Sequence, residues 1–130
     1  MSAERILVVD DEEAISEIIA SMLTYAGYQC RPVSNGLEAL ALLESGDKFE
    51  LLLSDLANSP LDGFGLLEQM KEKFPNIPVV IVTAQHAVSS ASKAIRNGAY
   101  DYILKPFDRD HLLTVVRRAL ESRQIVGSAT

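Results

Sequence analysis

The sequence predicts an α/β protein with a doubly wound, five-stranded parallel sheet and five helices. Short, nearly continuous apolar runs recur along the chain, segments with helical periodicity follow them, and turn residues separate the two. Helical crossovers between parallel strands must cover both faces of the sheet, because right-handed connections pack each helix against it. With 130 residues, 48% of them hydrophobic, the chain can form the core of one domain.

The apolar runs give the predicted strands. Four of them are β-branched or strongly apolar and indicate buried strands at residues 5–9, 50–54, 77–82 and 100–104. The run at 28–33 is less hydrophobic and predicts a strand near an edge of the sheet. The helical pattern follows each strand, at about residues 13–26, 36–44, 63–73, 87–97 and 108–123.

Composition limits where the protein acts and what it binds. A net charge of −6 argues against direct binding to nucleic acid or to an anionic membrane by this domain. The single cysteine, Cys30, cannot form an internal disulfide, and no apolar run approaches the roughly 18 residues of a membrane span. We therefore expect a cytoplasmic protein, with one domain at 1–124 and a flexible tail or the start of a linker at 125–130.

Charged and hydroxyl side chains follow four of the five predicted strands. Asp10 and Asp11 follow the first strand, Asp55 the third, Thr83 the fourth and Lys105 the fifth. Because the carboxyl ends of parallel strands share one edge, where α/β proteins bind ligands, these side chains are expected to converge there.

Three carboxylates in one cleft require cations. Two unit charges about 4 Å apart repel by roughly 4 kcal/mol at an effective dielectric of about 20. Lys105 supplies one cation, and a hard divalent ion with oxygen ligands, Mg²⁺ rather than zinc, would supply the other. With its charge balanced, Asp55 could attack phosphorus as a nucleophile while Thr83 offers a hydroxyl donor.

Each of these residues also has an ordinary explanation when it is taken singly. Asp10 and Asp11 could cap a helix, Lys105 could be a solvated turn lysine, and Thr83 could be a helix cap. Tyr102 could be a half-buried aromatic residue of a strand. The functional interpretation depends on their occurring together.

Over about residues 5–123 the sequence resembles the receiver domain of two-component response regulators. The motifs that match in type, order and spacing are Val8-Val9-Asp10-Asp11-Glu12, Leu53-Ser54-Asp55, Asp62-Gly63, Thr83-Ala84, Gly98-Ala99-Tyr100-Asp101-Tyr102 and Lys105-Pro106-Phe107. Each motif is weak, but together they are highly specific. The resemblance implies a flavodoxin-like fold with strand order 2-1-3-4-5.

The resemblance also implies a phosphoacceptor site. A sensor histidine kinase would phosphorylate Asp55, and Mg²⁺ would be bound directly by Asp11, Asp55 and the main-chain carbonyl of Ala57. Asp10 would act mainly through metal-bound water, and Thr83 and Lys105 would contact the phosphoryl group. The protein would accept and lose its own phosphoryl group rather than turn over other substrates.

A two-state switch is a further implication of the resemblance. Thr83 would move toward the phosphoryl group, Tyr102 would follow as the switch aromatic, and the Lys105–Pro106 bond would be cis. The face formed by the fourth helix, the fifth strand and the fifth helix would then support dimerisation or partner binding. Phe107-Asp108 and residues 116–121 resemble receivers that precede ATPase-type transcription activators.

One departure from the family pattern leaves an alternative open. Asn58 and Ser59 stand where the family usually has Met-Pro, so the chain could be a receiver-like interaction module that no longer takes phosphate. A phosphatase of the haloacid dehalogenase type is disfavoured, because Ala57 stands where its second acid would be. A nucleotide binder is disfavoured too, because four acids occupy the place of a glycine-rich phosphate loop.

Overall fold

Among the residues that this computed structural model describes, five strands and five helices alternate along the chain. The structure describes residues 3–56, 63–84 and 88–129, except for the side chains of Val88 and of residues 124–129. In chain order the elements are β1 (Arg5–Val9), α1 (Glu13–Tyr25), β2 (Gln29–Val33), α2 (Gly36–Glu44), β3 (Leu51–Asp55), α3 (Gly63–Lys73), β4 (Val79–Ala84), α4 (Val88–Arg96), β5 (Asp101–Lys105) and α5 (Arg109–Ala129).

All four strand pairings are parallel, and the strand order is β2-β1-β3-β4-β5. The predicted fold class and strand order are therefore confirmed. Every residue of β3 is buried, which explains its continuous apolar sequence, whereas β2 lies at an edge and is largely exposed.

The core has two halves because successive strand side chains point to opposite faces of the sheet. Leu7 and Val9 of β1 pack in one half, which α2, α3 and α4 cover. Ile6 and Val8 pack in the other half, which α1 and α5 cover. The sheet is thus covered on both sides, and its carboxyl edge is positioned by β1, β3, β4 and β5.

Some predicted boundaries were wrong. The strand expected at 77–82 is β4 at Val79–Ala84, because Pro78 has no N–H to donate to a neighbouring strand. The last helix was predicted to end near Arg123, but α5 continues to Ala129. A single glycine, Gly127, costs a helix only about 1 kcal/mol relative to alanine and does not by itself end it. The boundary between a domain at 1–124 and a linker at 125–130 stays a prediction.

Several residues singled out from the sequence lie outside the described part of the chain. They include the predicted metal ligand Ala57 and the departure from the family pattern at Asn58 and Ser59. Within the described residues, none of the helices combines the length and the apolar character needed to cross a membrane.

Candidate functional site

The strand register brings the predicted site residues to one edge of the sheet. Val9 is the partner of Ser54, so Asp10 and Asp55 follow at neighbouring positions on β1 and β3. Asp55 is in turn the partner of Val82, one residue before Thr83. Lys105 ends β5 opposite Ala84.

Lys105 bridges two carboxylates at this edge. Its Nζ donates to Oδ2 of Asp55 at 3.0 Å and to Oδ2 of Asp10 at 3.3 Å. The side chains of Asp10, Asp55 and Lys105 are 2%, 10% and 18% exposed, so water screens these charges weakly. Lys105 is therefore not a solvated turn lysine, and Asp10 and Asp55 share one cation.

Asp10 is held in place by its neighbours at the start of α1. Its Oδ1 accepts a hydrogen bond from the Glu12 N–H at 2.9 Å, and its main-chain carbonyl accepts one from the Ser16 hydroxyl at 3.3 Å. Ser16 is itself buried. The sequence does not single out Ser16, because a serine adds nothing to the hydrophobic periodicity by which the helix at 13–26 is predicted.

Burial and neighbouring charges shift the pKa values of Asp10 and Lys105. Burial raises the pKa of Asp10, because it penalises the carboxylate more than the hydrogen bond from Glu12 and the Lys105 charge stabilise it. Burial alone would lower the pKa of Lys105, but the hydrogen bond to Asp55 and the charges of Asp55 and Asp10 outweigh it and raise that pKa. Lys105 is thus a permanent cation at neutral pH.

Three carboxylates meet closely enough to hold a metal ion. One oxygen from each of Asp10, Glu12 and Asp55 lies within 4.8 Å of the others. An all-oxygen set fits a hard divalent cation, and the single ammonium group of Lys105 does not balance the charge of three carboxylates. The sequence singles out Glu12 only as part of the Asp10-Asp11-Glu12 motif and gives it no role in metal binding. The predicted direct ligand Asp11 is exposed and is not in this group of described acids.

Thr83 and Tyr102, the predicted switch residues, lie on neighbouring strands. Thr83 is 4% exposed, and Tyr102 is partly buried and packs against the core half that contains Ile81. Ile81 is the partner of Tyr102 and precedes Thr83 by two positions, so alternation directs Thr83 and Tyr102 to the same face. The Lys105–Pro106 peptide bond is cis.

Replacing Asp10 with asparagine is expected to stabilise the metal-free protein by about 1 kcal/mol at neutral pH. Asparagine keeps the acceptor for Glu12 N–H but removes a buried charge. Because the folded state raises the pKa of Asp10, the stability that this group adds is greatest below its unfolded-state pKa. That stability is lost as the pH rises through the folded-state pKa. Urea unfolding in metal-free buffer, at acid and neutral pH, measures both effects.

The matched control is Asp11→Asn, which changes the adjacent but exposed acid and should alter stability by no more than about 0.5 kcal/mol. A lower stability of Asp10→Asn than of the wild type at neutral pH would contradict the prediction. It would show that the hydrogen bond from Glu12 and the charge of Lys105 offset the cost of burying the Asp10 carboxylate.

Comparison with known proteins identifies the family of this chain. The model of the response regulator receiver domain matches residues 6–117. A response regulator described as NtrX-like from Rickettsia bellii is 39% identical over 122 residues, which are 93% of this chain and 26% of that protein. The DNA-binding transcriptional regulator NtrC of Salmonella typhimurium is 40% identical over 117 residues, 90% of this chain and 25% of that protein.

Solved structures agree with the sequence relatives. The crystal structure of the receiver domain of NtrX from Brucella abortus has a TM-score of 0.84 and 40% identity, and the match covers 89% of this chain and 98% of that one. This chain spans about a quarter of the length of the curated relatives it matches. The family match and the parallel sheet with its acidic carboxyl edge lead to one conclusion: the chain belongs to the response regulator receiver domain family.

Proposed function

We propose that Asp55 is the phosphoacceptor of this receiver domain and that it takes its phosphoryl group from a phosphohistidine of a sensor histidine kinase. The observation that carries the proposal is the position of the Lys105 Nζ, 3.0 Å from Asp55 and 3.3 Å from Asp10. A fixed cation beside the attacking carboxylate supplies positive charge where the phosphoryl oxygens would arrive.

The transfer replaces one bond to phosphorus with another. A carboxylate oxygen of Asp55 bonds to phosphorus while the bond from phosphorus to the kinase histidine nitrogen breaks. The nitrogen leaves with the electron pair, and Asp55 becomes an acyl phosphate. Attack of water on phosphorus later releases inorganic phosphate and restores the carboxylate, so the chain returns to its starting state without turning over another substrate.

We assign Mg²⁺ to the acidic cluster beside Asp55. The grouped oxygens of Asp10, Glu12 and Asp55 support a divalent cation there, because the one ammonium group, that of Lys105, contacts Asp10 and Asp55. When bound, Mg²⁺ would offset the charge of the carboxylates and of the phosphoryl oxygens. Direct binding by Asp11 and by the Ala57 carbonyl, which the family resemblance implies, stays a prediction.

The proposed output is a change in the face formed by α4, β5 and α5. Thr83 would follow the phosphoryl group, and Tyr102 would move on the same side of the sheet. One apolar side chain of α4 is available to a second copy or to a partner, because Ile95 is 37% exposed, and Tyr100, directly before β5, is 40% exposed. Phosphorylation would bias an existing equilibrium toward the conformation that binds there.

The role of the whole protein is inferred from its longer relatives. We propose a transcription-activator output domain, because a relative named a DNA-binding transcriptional regulator matches this chain with a quarter of its length. The net charge of −6 supports assigning any DNA contact to another domain. A cytoplasmic location stays a prediction.

Incubation with a small phosphodonor and Mg²⁺, followed by intact-mass measurement, tests the proposal. We expect a gain of one phosphoryl group in the wild type, and no gain in Asp55→Asn or when Mg²⁺ is chelated. The control is Asp108→Asn, because Asp108 is exposed and accepts the His111 N–H at 2.8 Å, a helix cap that asparagine preserves. An unmodified wild type would instead support the receiver-like interaction module.

A further inference from the structure

A cleft lies between α3 and α4 on one side of the sheet. Its volume is about 740 Å³, and its described lining residues all belong to these two helices or directly follow them: Phe64, Glu68, Lys71, Glu72, Lys93 and Asn97. Packed protein interiors contain few gaps much larger than a water molecule, so the two helices are not closely packed along this cleft. Contacts across it are made by long side chains.

Lys93 of α4 reaches across the cleft to Phe64 of α3. Its Nζ lies 5.0 Å from the centroid of the Phe64 ring, within the distance of a cation–π interaction. The ring is partly buried and packs against the core half that contains Ile81, which fixes its position. Glu68 and Glu72 line the same cleft, but among the described residues no acid forms an ion pair with Lys93.

A second lysine crosses between the helices in the opposite direction. The Lys71 side chain of α3 lies over Gly98, just beyond the end of α4, because a Cβ added to Gly98 would be 2.6 Å from the Lys71 Cδ. The Gly98 N–H donates to the Ile95 carbonyl at 3.1 Å and so closes this end of α4. Lys71 therefore contacts the end of α4, and Lys93 contacts the start of α3.

The Lys93–Phe64 contact also connects α4 to the backbone beside Asp55. Phe64 is the second residue of α3, and the N–H of the preceding Gly63 donates to the Leu56 carbonyl at 2.9 Å. Leu56 directly follows Asp55. A continuous series of contacts thus runs from the end of β3 to α4, and one exposed side chain, that of Lys93, completes it.

We propose that the Lys93–Phe64 contact is a latch that holds α4 in its unphosphorylated position, an inference that rests on the phosphoacceptor function proposed above. A cation–π contact made by an exposed lysine is weak, so it biases a two-state equilibrium without blocking it. Loss of the latch should raise the population of the phosphorylation-competent conformation about two- to fivefold. The apparent affinity for a phosphoryl analogue should rise by the same factor, because it is proportional to that population.

An amide NMR titration with beryllofluoride, a phosphoryl analogue, in the presence of Mg²⁺ tests the latch. Lys93→Met removes the cation and Phe64→Leu removes the ring, so each variant should bind the analogue about two- to fivefold more tightly than the wild type. The double variant should bind no more tightly than either single variant, because both substitutions remove the same contact. Lys93→Arg keeps a cation over the ring and should bind as the wild type does.

The control variant is Arg96→Met, which removes an exposed cation from the last residue of α4 and should leave binding of the analogue unchanged. Unchanged or weaker binding by Lys93→Met, or additive effects in the double variant, would overturn the proposal. Because Lys93 is exposed, its two variants decide the matter even if Phe64→Leu is poorly folded.

Amide hydrogen exchange without the analogue separates the latch from the phosphoacceptor function. The latch predicts exchange at residues 89–96 that is about two- to fivefold faster in Lys93→Met than in Arg96→Met. Equal exchange in the two variants would overturn the latch whether or not the wild type bound the analogue. A wild type that bound no beryllofluoride would instead contradict the phosphoacceptor function.

Discussion

Replacing Lys105 with methionine is expected to slow phosphorylation of Asp55 by on the order of 100-fold and to lower the free energy of unfolding by about 2 kcal/mol. Methionine keeps much of the length of the side chain but removes the cation that contacts both Asp10 and Asp55. The two acids would then repel each other at a site where one is 2% and the other 10% exposed. The expected loss of stability is smaller than the cost of breaking a fully buried ion pair, because the Lys105 side chain keeps some contact with water.

Phosphodonor kinetics and urea unfolding in metal-free buffer measure the two effects separately. The matched control is Lys73→Met, which breaks a 2.8 Å ion pair with Glu44 between side chains that are 45% and 50% exposed. Water and salt screen an ion pair between exposed side chains, so this variant should remain close to the wild type in both assays. If both lysine variants behaved alike, Lys105 would have no special role at the site.

Replacing Gly63 with alanine is expected to lower the free energy of unfolding by about 3 kcal/mol and to impair phosphorylation of Asp55. A Cβ at this position would lie 2.7 Å from the Cα of Leu56 and 2.9 Å from the carbonyl oxygen of Asp55. Both atoms belong to the backbone, so a side chain cannot rotate away to relieve the clash. The Gly63 N–H also donates to the Leu56 carbonyl at 2.9 Å, which holds the start of α3 against the end of β3.

Thermal unfolding of Gly63→Ala and of Gly46→Ala separates two effects of an added Cβ: a clash with nearby backbone atoms, and strain from a positive φ. Gly46 has a φ of +101° but nothing within 4 Å of an added Cβ, so its substitution should cost about 1 kcal/mol through conformation alone. A smaller loss for Gly63→Ala than for Gly46→Ala would mean that the Asp55–Leu56 backbone moves easily. In that case the phosphoacceptor would not be held rigidly from this side.

The convergence of Asp10, Asp55 and Lys105 could be predicted from the sequence because it depends on topology. Each residue ends a parallel strand or follows one directly, and parallel strands end at a common edge. The continuous apolar run of β3 and the more polar run of β2 likewise predicted a central and an edge strand, since burial on both faces selects apolar residues.

The division of roles within the acidic run at 10–13 could not be predicted in the same way. Asp10, Asp11 and Glu12 are consecutive, and the chain turns from β1 into α1 at this point. The side chains of neighbouring residues therefore point in different directions. Asp10 is buried while Asp11 is exposed, and Glu12 is grouped with Asp10 and Asp55. Composition and periodicity do not encode the orientation of individual side chains in such a turn.

Arg123 and Ser16 were missed for a related reason. Each is a polar residue on a helix whose other side chains determine the periodic pattern, so each looks like part of a solvated face. The packing of the helices shows otherwise: Ser16 is buried and donates to the Asp10 carbonyl, and the Nε of Arg123 is buried and has no hydrogen-bond partner among the described residues. Tertiary contacts of this kind appear only when the helices are placed against the sheet.

Chemical mapping of the phosphorylated residue tests the central claim most directly. Borohydride reduces an aspartyl phosphate to homoserine, so treatment of the phosphodonor-modified chain followed by peptide mass spectrometry identifies the modified position. The account predicts homoserine at position 55, in a reaction that requires Mg²⁺ and is strongly slowed in Lys105→Met. Homoserine at Asp10, at Asp11 or at another acid, with Asp55 intact, would contradict it.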